Sequence, residues 1–182
     1  MPPAKASLRR ERENDMTYAI HNLVGAQPIA SIDTTKNHPL GTMVDATDPT
    51  YGRGEFIYLL GVGSTTAGDV VTYNATTYQT ALLTTTNGEN KGCPVAVAMG
   101  ANVAASYGWY QVSGNAVIKK TGVAVTPQVP IFISATAGKI KVLASSGQQI
   151  LGAMTANLTT IVTTTSTVVV TINRPHTQGQ IT

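Results

Sequence analysis

From His38 onward the chain breaks into short runs rich in Val, Ile, Tyr, Leu and Thr. They recur about every ten residues, and clusters of Gly, Asn and Asp separate them. The runs are Leu40–Ala46, Glu55–Val62, Asp69–Tyr73, Tyr78–Thr84, Val95–Ala101, Gly108–Ser113, Ala116–Lys119, Val129–Ser134, Lys139–Leu143, Ile150–Met154 and Thr167–Asn173. Separators such as DATDPTYGRG, GSTTAG and TTNGENKG carry residues that tolerate tight turns. Nowhere does a 3.6-residue period persist over twelve residues, so a helical bundle is excluded. The expected fold is all-β, a β-sandwich or small β-barrel of short antiparallel strands with an extended N-terminal arm.

Composition narrows the function. The chain contains 28 threonines in 182 residues, and only 12% of its residues are charged, about half the usual share. The last of its nine acids is Glu89. Residues 1–89 carry six Lys/Arg against those nine acids, a balance of −3; residues 90–182 carry six and no acid, a balance of +6. A half without carboxylates has few routes to acid–base or metal chemistry. Its lysines can form a solvated face or meet an acidic partner. They are scattered, and no nucleic-acid motif accompanies them.

Local motifs favour structure over catalysis. Gly61-Val-Gly-Ser-Thr-Thr-Ala-Gly68 lacks the Lys-Ser/Thr of a phosphate loop and reads as a turn. Asp45, Asp48, Glu55 and Asp69 do not have calcium-loop spacing. Cys93 is the sole cysteine, which excludes an intramolecular disulfide, and His21, His38 and His176 lie in segments that read as arms or loops. The first residues have no apolar run of the secretory type, and no stretch is long and apolar enough for a membrane helix. No cofactor, metal site or catalytic residue is expected.

Two turns have identifiable chemistry. Ser113-Gly114-Asn115 predicts a hairpin between the runs on either side, and Thr136-Ala-Gly138 predicts another. Alternation in Lys139-Ile-Lys-Val places both lysines on one strand face. In Tyr107-Gly-Trp-Tyr-Gln-Val112, Trp109 and Gln111 share one face, and Tyr110 and Val112 the other. Residues 157–166 favour a loop or edge. Residues 1–37, charged at first and then without a clean period, form the expected arm; 38–175 form the domain and 176–182 a tail.

The ordered segments Leu40-Gly-Thr-Met-Val-Asp-Ala-Thr-Asp-Pro49, Gly54-Glu-Phe-Ile-Tyr58, Val95-Ala-Val-Ala-Met99, Tyr107-Gly-Trp-Tyr-Gln-Val-Ser-Gly-Asn-Ala116 and Asn173-Arg-Pro175 resemble the capsid decoration, or cement, proteins of tailed bacteriophages. The resemblance covers roughly residues 38–175 and excludes the arm. It implies a non-enzymatic virion protein on the outer surface of the head, bound to major capsid protein and to copies of itself as a dimer or trimer. It transfers no site residues. The residues expected to make capsid or self contacts are Arg9, Arg10 and Arg12 in the arm, the aromatics Tyr107, Trp109 and Tyr110, and Lys119, Lys120, Lys139 and Lys141. The alternative is a virion-surface or fibre domain that stacks host glycans on Tyr107, Trp109 and Tyr110. A small hydrolase using Cys93 or a histidine is the remaining alternative.

Overall fold

The computed structural model describes residues 19–20 and 26–180. Its elements in chain order are β1 (Ala19–Ile20), β2 (Ile32–Asp33), β3 (Met43–Asp48), β4 (Gly52–Leu60), β5 (Val70–Tyr73), β6 (Thr80–Leu82), the single-turn helix α1 (Thr85–Gly88), β7 (Val95–Ala98), β8 (Tyr107–Lys119), β9 (Pro130–Ile133), β10 (Ile140–Lys141), β11 (Gln149–Thr155) and β12 (Thr167–Thr177). The fold is all-β: an antiparallel sheet curls into a half-barrel. Its main path runs β1-β3-β4-β8-β12-β11-β9-β10, with β2 and the β5–β6–β7 group joined at the side.

Strand β8 organises the molecule. Its first half pairs with β4, from Leu60 opposite Tyr107 to Phe56 opposite Gln111, and also with β2 and β7. Its second half pairs with β12, from Asn173 opposite Ser113 to Thr167 opposite Lys119. The switch falls at Ser113-Gly114-Asn115. The hairpin predicted there does not form: β8 runs through, and the ladder to β4 slips between Glu55 and Phe56. The slip leaves Val112 as the extra residue on β8, and Gly114, with φ +97°, follows it where β8 changes partner. Turn residues report the local backbone conformation and not whether the chain reverses. The Thr136-Ala-Gly138 turn does reverse the chain, between β9 and β10, with Gly138 at φ +72°.

Three apolar clusters follow from strand alternation. Phe56, Tyr58 and Trp109 point to one side of the β4–β8 ladder, with Val44, Ala46, Met99 and Ile29. Ile57, Leu59, Tyr110 and Val112 point to the other, with Val71, Ala96 and Ala98. The remaining strands enclose Ala116, Ile118, Ile131, Ile133, Ile150, Val168, Val170 and Ile172. Val95 and Val97 join this last cluster while Ala96 and Ala98 join the second, so β7 is buried on both faces. That explains its unbroken apolar sequence, where a half-exposed strand would alternate. Residues 157–166 form no strand, as expected.

Two segments beyond the expected domain limits pack on it. Ile29 is buried in the Trp109 cluster, and Ile32–Asp33 pair with the start of β8. At the other end β12 continues to Thr177, which is fully buried and accepts from the Cys93 backbone N–H through its hydroxyl at 2.9 Å.

Candidate functional site

The described surface has an open cleft of about 490 Å³. Ile57 and Val112, from the inward face of β4 and β8, form its floor, and Met43 and Val95 extend the apolar lining. Tyr73 and Tyr78, at the two ends of the β5–β6 turn, form one wall. Arg174, Pro175 and His176 of β12 form the other. A volume of this size lies in the range of ligand-binding clefts, roughly 300–1,000 Å³.

Both walls rest on unusual backbone. Tyr78 has φ +57° and Arg174 φ +45°, a region that side chains other than Gly, Asn and Asp seldom occupy. Tyr78 follows a turn in which Asn74 Oδ1 accepts from the N–H groups of Thr76 and Thr77. Its own backbone is anchored by donation from Tyr78 N to the Asn74 carbonyl, and its carbonyl accepts from Leu60 N. Its ring occupies the space a side chain at Gly41 would need: a β-carbon there would come within 2.5 Å of it. Arg174 lies in a bulge. Between the pairs Ala153–Ile172 and Leu151–His176 the β12 side has three residues against one, Gly152, on β11. A β-carbon on Gly152 would come within 2.7 Å of the Asn173 carbonyl oxygen, so the bulge requires glycine opposite it. Bulges re-aim side chains; this one sends Arg174 across to Glu55, Nη2 to Oε2 at 3.1 Å, with the arginine side chain 71% exposed. Burial raises the Tyr73 hydroxyl above its usual pKa, Tyr78 adds to the rise, and Arg174 opposes it.

The expected contact residues are dispersed. Arg9, Arg10 and Arg12 lie outside the described residues. Trp109 and Tyr110 are both fully buried, on opposite faces of β8, which corrects their place in the expected contact set. Trp109 packs against Tyr58 at 5.0 Å and His38 at 5.5 Å between ring centroids. Tyr110 accepts from Asn102 Nδ2 at 2.6 Å. Tyr107 is half-buried and stacks at 6.2 Å on Tyr58. Three rings so placed present no stacking platform to solvent.

The lysines divide in the same way. Lys119 is partly buried, and its Nζ pairs with Asp69 at 2.9 Å and bonds Thr66 Oγ1. Lys120 is buried, correcting its expected place on a basic face. Its ammonium donates to the carbonyls of Val123 at 2.8 Å, Val162 at 3.1 Å and Thr121 at 3.4 Å. Desolvation lowers its pKa. Lys141 donates to Ser145 Oγ and Gln148 Oε1, both at 2.8 Å. Lys139, in the β9–β10 turn, is half-buried.

Cys93 Sγ lies 3.7 Å from the Asn87 carbonyl, whereas His38 Nε2 bonds Gln27 Oε1 at 2.7 Å beside Tyr58 and Trp109. The Cys93 thiol and the His38 imidazole therefore have separate surroundings. Among the described residues no three His, Cys, Asp or Glu side chains converge as metal ligands. No helix among them is long and apolar enough to cross a membrane. No protein-family model matches the chain, and no curated protein matches its sequence.

Proposed function

We propose that the protein is a structural virion protein that binds the outer surface of a tailed-phage head, bridges major capsid protein subunits and stabilises the mature shell. In this reading it acts without catalysis and as a dimer or trimer. One observation carries the reading. The segments that resemble the cement proteins are scattered through the sequence but form one continuous ladder in the fold. Met43 and Val44 pair with Ile57 and Phe56, those residues with Tyr110 and Gln111, Val97 and Ala98 with the same stretch of β8, and Asn173 with Ser113. The resembling residues are thus the structural spine, where a shared fold would leave its trace. The surface chemistry fits a role in repeated weak contacts: the 158–166 loop is uncharged and hydroxyl-rich, with Leu158 94% exposed.

The reading is tested by adding the purified protein to heads stripped of it. Saturable binding and slower thermal rupture are expected; absence of saturable binding would sink the idea. Deleting residues 1–16 tests the arm, which should reduce occupancy. Replacing Lys139 and Lys141 with Gln should weaken binding at low salt and leave it unchanged at high salt. The glycan reading depends on exposed rings at Trp109 and Tyr110, which the fold encloses.

A further inference from the structure

We propose that the cleft between the β5–β6 turn and the β12 bulge is a docking site for an extended acidic segment of a partner protein. One carboxylate pairs with Arg174, and an adjacent aliphatic side chain lies between Tyr73 and Tyr78 on the Ile57–Val112 floor. The proposal deepens the capsid reading, on which the partner's identity rests; the chemistry of the site rests on the cleft alone.

Three observations converge here. The first is local backbone strain: two side chains in the left-handed region, Tyr78 and Arg174, line the same cleft. Strain of this kind gathers at binding sites; Ser64, Asn90, Ala105 and Gln128 also have positive φ but lie outside the cleft.

The second is charge. The wall and rim residues supplied by 92–95 and 174–176 come from the half of the chain that has no acid, and Arg174 and His176 are exposed there. Glu55 engages Arg174 through one Nη2 contact. A guanidinium offers five N–H donors, so a second carboxylate can be held in the same fork. The arginine side of the pair is largely solvated, which weakens Glu55 as a competitor.

The third is the mixture of chemistry in the lining: Arg174 joins two tyrosines and the aliphatic Ile57, Val95 and Val112. Successive side chains of an extended segment point to opposite sides, so acidic and aliphatic residues in near succession match it.

Isotope-labelled full-length protein would be titrated by NMR with an acetylated, amidated hexapeptide alternating Glu and Leu, and with its Gln/Leu counterpart. Saturable shifts are expected at Tyr73, Tyr78, Val95, Arg174 and His176. The Gln/Leu peptide should bind about tenfold more weakly, as loss of one charge-assisted contact implies. Arg174→Gln should weaken the Glu/Leu peptide by a similar factor. Met43→Glu, at an exposed rim position, should weaken it and Met43→Lys should not; this pair decides the matter if Arg174→Gln lowers the melting temperature. Equal binding of the two peptides, shifts gathered around Lys139 and Lys141, or indifference to both Arg174→Gln and Met43→Glu would overturn the site. Stripped heads that reject the wild-type protein while the peptide still binds would overturn the capsid reading and leave the cleft standing.

Discussion

Gly114 lies so close to Arg53 that a β-carbon on the glycine would collide with the arginine's carbonyl oxygen. The contact lies just past the β8 bulge, at the point where β8 exchanges one partner strand for another. Gly52, in the β3–β4 turn, also has positive φ, at +79°, but has open space around its α-carbon.

The two glycines therefore separate backbone strain from steric contact. Gly52→Ala should cost about 1 kcal/mol, for φ alone. Gly114→Ala should cost at least about 2–3 kcal/mol, because strain and collision add. Denaturant midpoints at constant m-value measure both. Equal midpoints for the two variants would mean that the bulge relaxes freely.

Trp109 is the chain's sole tryptophan and is fully buried, so its fluorescence reports directly on the Tyr58–Trp109–His38 cluster. Native emission should be blue-shifted, resistant to acrylamide and unmoved by added sugars. Trp109→Ala should cost about 3–5 kcal/mol. Trp109→Phe should cost less, since it also removes the Nε1–H that has no hydrogen-bond partner. Efficient quenching in the folded protein would place the ring at the surface and restore the stacking platform.

Lys120 and the buried tyrosines set opposite alkaline trends. Burial lowers the lysine's pKa below its ordinary 10.5, so in the window just beneath that value the unfolded chain binds the extra proton. Stability then rises with pH on account of Lys120. Burial raises Tyr58, Tyr73 and Tyr110 above 10.0; their contribution is complete below pH 10.0 and is lost as pH climbs through their folded values. Lys120→Met isolates the lysine, because the tyrosines are common to both proteins. Wild type should gain stability relative to the variant as pH rises towards 10.5, in paired denaturation curves; a constant difference would contradict the desolvated ammonium. Lys120→Ala should cost about 2 kcal/mol at neutral pH, through carbonyls left without their donor.

The strands were legible because their periodicity is local. The alternation in Lys139–Val142 assigns Ile140 to the core, where it is fully buried. Trp109 and Tyr110 were correctly placed on opposite faces for the same reason. Their burial was not legible: a face becomes core only when another layer covers it, and Ile29 and Met99 come from elsewhere in the chain. Lys119 and Lys120 are likewise indistinguishable in sequence. One meets Asp69, the other the carbonyls of two loops, and both partnerships depend on long-range folding. The cleft left only a faint trace, a tyrosine just after a turn and Arg174-Pro175 near the end of the last strand.

By itself the sequence determined an antiparallel β protein: its turn residues, its alternating faces and a second half without carboxylates. These are properties of neighbours along the chain, and backbone sterics and side-chain period set them. Tertiary structure decided that Ser113-Gly114-Asn115 continues a strand without reversing it, that the aromatic segment is core, and that Tyr78 and Arg174 line one cleft. Each of these depends on which strand lies beside which, and pairing partners are chosen by the burial of whole faces, a free energy that no single segment contains.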